Sequence, residues 1–145
     1  MSAGRICSRV VATATPHESV RAAGRRMAEY DVGTLVVLDV SGGRRPVGMV
    51  TDRDIAIRCV GAQRDPDQTR VSEIMTTPVQ TVSAHTPIED AMKRMANAAT
   101  RRLVVLGDGE TLVGVLSLDD VLDLFVAETA AIGRLLERQK PHFPA

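Results

Sequence analysis

The sequence predicts an α+β fold in which two copies of one small unit pack against each other and a long helix follows the second copy. Three observations carry this: an internal repeat, the same order of helical and strand-like patterns in both copies, and a final apolar stripe at helical spacing that the first copy lacks. The chain's 145 residues, 44% apolar and 25% charged, suit one compact domain or two small fused ones.

The repeat is visible when the sequence is slid by 68 positions. Thr13 then meets Thr81, His17 meets His85, Arg26-Met27-Ala28 meets Arg94-Met95-Ala96, and Leu35-Val36-Val37-Leu38 meets Leu103-Val104-Val105-Leu106. Beyond that point an offset of 66 aligns Val47-Gly48-Met49-Val50-Thr51 with Val113-Gly114-Val115-Leu116-Ser117. The two residues are lost in a loop, Ser41-Gly42-Gly43-Arg44-Arg45-Pro46 in one copy and Gly107-Asp108-Gly109-Glu110-Thr111 in the other. Loops are where repeats tolerate changes of length.

Each copy opens on an extended lead-in. Val20, Ala23, Gly24 and Met27, and then Ile88, Ala91, Met92 and Met95, recur at helical spacing and predict core-facing helices. Thr15-Pro16-His17-Glu18 and Thr86-Pro87-Ile88-Glu89 read as capping boxes with Pro at the first helical position. The Leu-Val-Val-Leu runs read as buried strands, with 47–50 and 113–116 as their hairpin partners. A further helix begins after Thr51 and after Ser117. Residues 4–60 thus form the first repeat, 61–73 a polar connector, 74–126 the second repeat, and 127–145 a helical extension and tail.

The extension carries Leu122, Phe125, Val126, Thr129, Ile132, Leu135 and Leu136 at helical spacing as far as about Gln139. That stripe needs a cover, either its own repeat or a second copy, and a homodimer is the expected assembly. His142, beyond it, is expected on a mobile tail.

Composition excludes several functions. Eighteen basic and eighteen acidic residues cancel, and Tyr30, Phe125 and Phe143 are too few aromatics for base stacking, so nucleic acid is not an expected partner. No apolar run approaches the roughly 20 residues that span a bilayer, and no signal-peptide pattern opens the chain, so a cytoplasmic protein without a membrane partner is expected. Cys7 and Cys59 are too isolated for a disulfide framework or a zinc site, and His17 and His85 read as polar residues near helix starts. A metal or redox sensor built on these four residues is the weakest of the readings. No nucleophile elbow, zinc-protease helix or P-loop is present, and an enzyme is not expected.

Chemistry concentrates in one segment per copy, Thr51-Asp52-Arg53-Asp54 and Ser117-Leu118-Asp119-Asp120. A strand running into a helix start exposes unpaired N–H groups that suit phosphate. The hydroxyl donates to a phosphate oxygen, and the carboxylate accepts from ribose hydroxyls. The same spacing is also that of a plain capping box, which needs no ligand.

These segments, together with the lead-in 72–82 and the Val-Val strands, resemble the cystathionine-β-synthase-type (CBS) domain family over roughly residues 4–126. The resemblance implies two repeats packed about a pseudo-twofold axis with two clefts between them. It further implies a regulatory module that senses an adenosine-containing ligand such as AMP, ADP, ATP, NAD or S-adenosylmethionine, needs no obligatory cofactor, and acts on a downstream protein that the residues do not identify. Carried over by position, Asp54 and Asp120 would hold ribose, Thr51 and Ser117 would meet phosphate or ribose, and Thr13 and Thr81 would help form the adenine pockets. The second copy adds Arg101-Arg102, a guanidinium pair suited to phosphate, where the first has Gly33-Thr34 and only Arg53 nearby. The clefts should therefore be unequal, with Arg102's favoured. Val36 and Val104 stand where many copies carry Pro. The alternative is a ligand-free interaction or dimerisation module whose two segments only cap helices.

Overall fold

A computed structural model describes residues 1–41, 43–141 and 143–144; Gly42 of the first hairpin loop and His142 lie outside them. In chain order the elements are α1 (Ala3–Ile6), β1 (Thr13–Ala14), α2 (Val20–Tyr30), β2 (Thr34–Asp39), β3 (Arg45–Thr51) and α3 (Asp52–Asp54), which continues as a π-helical turn over Ile55–Val60. A 3₁₀ turn over Val71–Glu73 leads to β4 (Thr81–Ser83), α4 (Ile88–Asn97), β5 (Arg102–Leu106), β6 (Leu112–Ser117) and α5 (Leu118–Arg138).

The strands form two three-stranded sheets, ordered β1-β2-β3 and β4-β5-β6. In each, the first strand pairs parallel with the second through a helical crossover, and the second and third form an antiparallel hairpin. Both hairpins bulge at matching places, Val37/Leu38 and Val105/Leu106. This is the α+β pair of repeats that the sequence predicts.

The Leu-Val-Val-Leu runs are buried because both faces of each sheet are covered. Leu35 and Val37 pack with Val20, Ala23 and Met27 of α2 in one core, and Leu103 and Val105 with Ile88, Ala91 and Met95 of α4 in another. Val36, Leu38 and Val104 form a third layer between the sheets, with Met49 and Val115 against it. Alternation along a strand thus serves a helix on one side and the other repeat on the other.

Neither core is built from contiguous chain alone. Ala3 and Cys7, at the N-terminal end of the chain, lie in the core of the second repeat, while Val71, in the stretch read as polar connector, and Ile74, the first residue read as the second repeat, lie in the core of the first. Backbone bonds fix the exchange: Ser8 and Val115 share two of 3.0 Å, and Met49 and Thr76 share two of 3.1 and 2.8 Å. Each lead-in therefore closes the outer edge of the opposite sheet. The contact is made twice at equivalent positions, as a pseudo-twofold relation between the repeats requires.

The helix starts differ from the expected ones. α2 begins at Val20, and its cap is Ser19, whose Oγ accepts from the Ala22 N–H at 3.1 Å. The Thr15-Pro16-His17-Glu18 box does not form, because Glu18 is turned toward Arg26, which also donates to the Thr13 carbonyl at 2.9 Å. In the second copy Pro87 is itself the cap residue, without a side-chain cap bond, and Ile88 is the first helical residue.

Gly114 marks how closely the exchange is packed, since a Cβ there would collide with the Ser8 carbonyl oxygen and lie 2.9 Å from Cys7 Sγ. Gly133 in α5 has open space around it. Gly114→Ala is expected to destabilise the chain by about 1–3 kcal/mol in urea unfolding. Gly133→Ala is expected to stabilise it by up to about 1 kcal/mol through helix propensity. Equal effects would contradict the exchanged lead-in.

Candidate functional site

The strand-to-helix turns at Thr51 and Ser117 sit at one end of the layer between the sheets. Thr34 pairs in register with Thr51, and Arg102 with Ser117, so each motif hydroxyl shares its sheet face with the residue opposite. Even-spaced positions place Thr34 with Val36, and Arg102 with Val104, on the face that looks toward the other repeat.

Both motifs form complete capping boxes. Thr51 Oγ1 accepts from the Asp54 N–H at 3.1 Å and Asp54 Oδ2 accepts from the Thr51 N–H at 2.9 Å. Ser117 Oγ accepts from the Asp120 N–H at 3.1 Å, and Asp120 Oδ2 accepts both the Ser117 N–H at 2.7 Å and the Ser117 hydroxyl at 2.8 Å. Capping thus uses one oxygen of each carboxylate. Asp54 Oδ1 is 3.8 Å from Arg58 Nε, and Asp120 Oδ1 has no hydrogen-bond partner among the described residues. The hydroxyls also differ. Ser117 has committed its proton to Asp120, whereas Thr51 donates to nothing among the described residues.

Arg102 lines a cleft of about 400 Å³ together with Met49, Thr76–Gln80 and Ala98–Thr100. Met49 stands two residues before Thr51 on the same face of β3, so the guanidinium of the second repeat shares a cleft with the strand that carries the first repeat's motif. The equivalent position in the first repeat holds Thr34, whose Oγ1 is buried without a hydrogen-bond partner. The sequence showed the Gly33-Thr34 substitution but not this orphaned hydroxyl.

The remaining residues singled out by sequence are distributed as follows. Arg101 pairs with Asp119 at 3.7 Å, both side chains exposed, which offsets the acid beside the motif. Arg53 is exposed and without an ion-pair partner among the described residues. Thr13 and Thr81 are not in the Arg102 cleft. They line two matching grooves toward the hairpin ends of the sheets, one beside Val11, Leu38 and Leu112, the other beside Val79, Leu106 and Pro46. Gln80, next to Thr81, does reach the cleft.

Arg58 was not singled out. Its Nη1 donates to the Ile74 and Met75 carbonyls at 3.0 and 3.3 Å, linking the Asp54 side chain to the lead-in that walls the cleft. The i,i+4 spacing from Asp54 was the available signal.

Ala99, in the cleft wall, has φ 49. Its counterpart Asp31 has φ 53 as the C-cap of α2, a conformation that a short polar side chain tolerates better than alanine. Cys7 and Cys59 are buried free thiols in different cores, and burial pushes the Cys7 thiol up, with nearby Arg9 opposing it. A raised thiol stays protonated at neutral pH and is a poor nucleophile. Among the described residues no group of His, Cys, Asp and Glu could hold a metal ion, and no helix is long and apolar enough to cross a membrane.

A family model for the CBS domain matches residues 3–61 and 71–127. An uncharacterized protein of Methanopyrus kandleri is 30% identical over 124 residues, 86% of this chain, and the chain spans 62% of that relative's length. Among solved structures, a Burkholderia ambifaria protein with CBS domains is 30% identical with a TM-score of 0.77, covering 99% of this chain and 100% of that one. A Pyrobaculum aerophilum CBS domain protein, solved as a complex with AMP, is 28% identical with a TM-score of 0.74, covering 83% of this chain and 89% of that one.

Two stability effects follow from the site. Ala99→Gly is expected to raise the unfolding free energy by about 1 kcal/mol by relieving the left-handed alanine, and Ser117→Ala to lower it by about 1 kcal/mol through the lost cap. Chemical denaturation without ligand reads both. A destabilising Ala99→Gly would show that the wall is not strained.

Proposed function

The chain belongs to the CBS-domain family, and we propose that it is a regulatory module, not an enzyme, that binds an adenine nucleotide in the clefts between its repeats. The observation that carries this reading is the carboxylate oxygen that each motif keeps out of its cap, Asp120 Oδ1 without a hydrogen-bond partner among the described residues and Asp54 Oδ1 with only a 3.8 Å ion-pair contact to Arg58. Because Asp54 and Asp120 cap their helices with Oδ2, each has Oδ1 to accept a ribose hydroxyl without breaking the cap. The family relative solved with AMP supports the choice of ligand class.

The cleft that Arg102 lines is the stronger site. Its volume falls within the roughly 300–1,000 Å³ of small-molecule sites. Arg102 supplies a fork for phosphate, and Thr51, two residues beyond the cleft residue Met49 on the same strand face, has a hydroxyl proton to donate. On the pseudo-symmetric side Thr34 brings no charge, and Ser117 must give up its bond to Asp120 before donating. Arg53, exposed and without an ion-pair partner among the described residues, contributes long-range attraction, while Arg101 offsets the charge of Asp119. Thr13 and Thr81 set the strands beside the clefts, with the base held by neighbouring backbone such as that of Gln80.

A second reading rests on the same boxes: both are complete without a ligand, so the motifs would serve as helix caps in an interaction module. Thermal shift against AMP, ADP, ATP, NAD and S-adenosylmethionine separates the two. Stabilisation of about 2.7 kcal/mol is expected at a hundredfold excess over Kd for the true ligand, and no response to any of them favours the second reading.

Calorimetry on two variants tests the asymmetry. Arg102→Ala is expected to weaken nucleotide binding about tenfold or more, as loss of a charged hydrogen bond worth about 1.5–3 kcal/mol implies, with Arg53→Ala nearly silent. Equal losses would sink the assignment of phosphate to Arg102.

A further inference from the structure

Each repeat has a groove between its lead-in strand and its first helix, and the two grooves are filled differently. In the first repeat Thr13, Glu18, Arg26 and Tyr30 line a space of about 320 Å³. The residues 68 positions on, Thr81, Thr86, Arg94 and Ala98, line one of about 990 Å³ in the second, closed at one end by the β5-β6 hairpin. That volume lies within the roughly 300–1,000 Å³ of small-molecule sites.

The first groove carries its own plug. Glu18 accepts from the Arg26 guanidinium with both carboxylate oxygens, at 2.5 and 3.2 Å, and Arg26 also donates to the Thr13 carbonyl at 2.9 Å. Tyr30, one turn further along α2, lines the same space. In the second repeat Thr86 stands for the glutamate and Ala98 for the tyrosine, while the arginine is kept. The Arg94 guanidinium has no hydrogen-bond or ion-pair partner among the described residues. The second groove is the first without its plug.

Charge narrows what can fill it. Lys93 pairs with Asp90 at 3.2 Å, which leaves Arg94 and Glu110 as the lining charges without an ion-pair partner among the described residues. Their signs are opposite, so a simple anion meets one attractive and one repulsive group, whereas a zwitterion meets two attractive ones. A ligand carboxylate takes the place of Glu18 on the guanidinium fork. A ring takes the place of Tyr30 above Ala98, and an ammonium answers Glu110. An aromatic α-amino acid carries all three groups.

We infer that the groove between α4 and the β4-β5-β6 sheet binds an aromatic α-amino acid, with its carboxylate on Arg94. In an amide NMR titration of the full chain, L-phenylalanine or L-tyrosine should shift Thr81–Ser83 and α4. Two fragments of phenylalanine, 3-phenylpropionate without the ammonium and phenethylamine without the carboxylate, should each bind at least tenfold more weakly. Arg94→Ala should weaken phenylalanine binding tenfold or more, as loss of a charged hydrogen bond implies. Thr86→Glu rebuilds the first repeat's ion pair in the second, so it should remove binding while raising the melting temperature, which separates a filled groove from an unfolded chain. No binding of either amino acid, shifts only outside the groove, equal binding of 3-phenylpropionate, or binding unchanged by Arg94→Ala or Thr86→Glu would each overturn the inference.

Discussion

The exchange of lead-ins is the constraint on which the rest of the molecule depends. A three-stranded sheet with one helix on its face is too small to hold itself together, and its outer strand exposes unpaired backbone groups. Here the opposite repeat supplies both remedies, since Ala3, Cys7 and Ser8 complete the second unit while Val71, Ile74 and Thr76 complete the first. The segment that seals the edge of β3 at Thr76 runs on through Thr77–Gln80 as the wall of the Arg102 cleft. Cleft geometry and the pairing of the repeats are thus one structural fact.

In the proposed site one carboxylate serves fold and ligand together. One oxygen closes the helix start, and the other stays outside the cap, 3.8 Å from Arg58 Nε in the first repeat and without a hydrogen-bond partner among the described residues in the second. The repeats have diverged around this shared device. One side has a guanidinium, a hydroxyl with a proton to give and an alanine held left-handed; the other has an orphaned threonine hydroxyl and a serine bonded to its own aspartate. Asymmetry of this kind is how a duplicated unit acquires one strong site and one weak one.

Much of this was legible in the sequence for physical reasons. The offset of 68 and then 66 survives because core positions and strand-to-helix turns admit few residue types, and Leu-Val-Val-Leu reads as doubly covered strand because both faces are apolar. Other features were hidden. Val71 and Ile74 sit among polar neighbours, so composition masked one core residue in an apparent connector and assigned the other to the opposite repeat. The caps of α2 and α4 were misplaced because Thr-Pro looks like a helix start, while Ser19 and the turn of Glu18 toward Arg26 depend on tertiary contacts. That Arg102 shares a cleft with Met49 of the other repeat follows from the packing of the sheets, which no local pattern encodes.

A structure determined from crystals grown with saturating AMP tests the central claim most directly. A ribose hydroxyl within hydrogen-bond distance of Asp54 Oδ1, with the Thr51 N–H still bonded to Oδ2 and the phosphate on Arg102, is the expected result. A nucleotide bound away from Asp54 and Arg102, or clefts that stay vacant at saturation, would contradict it.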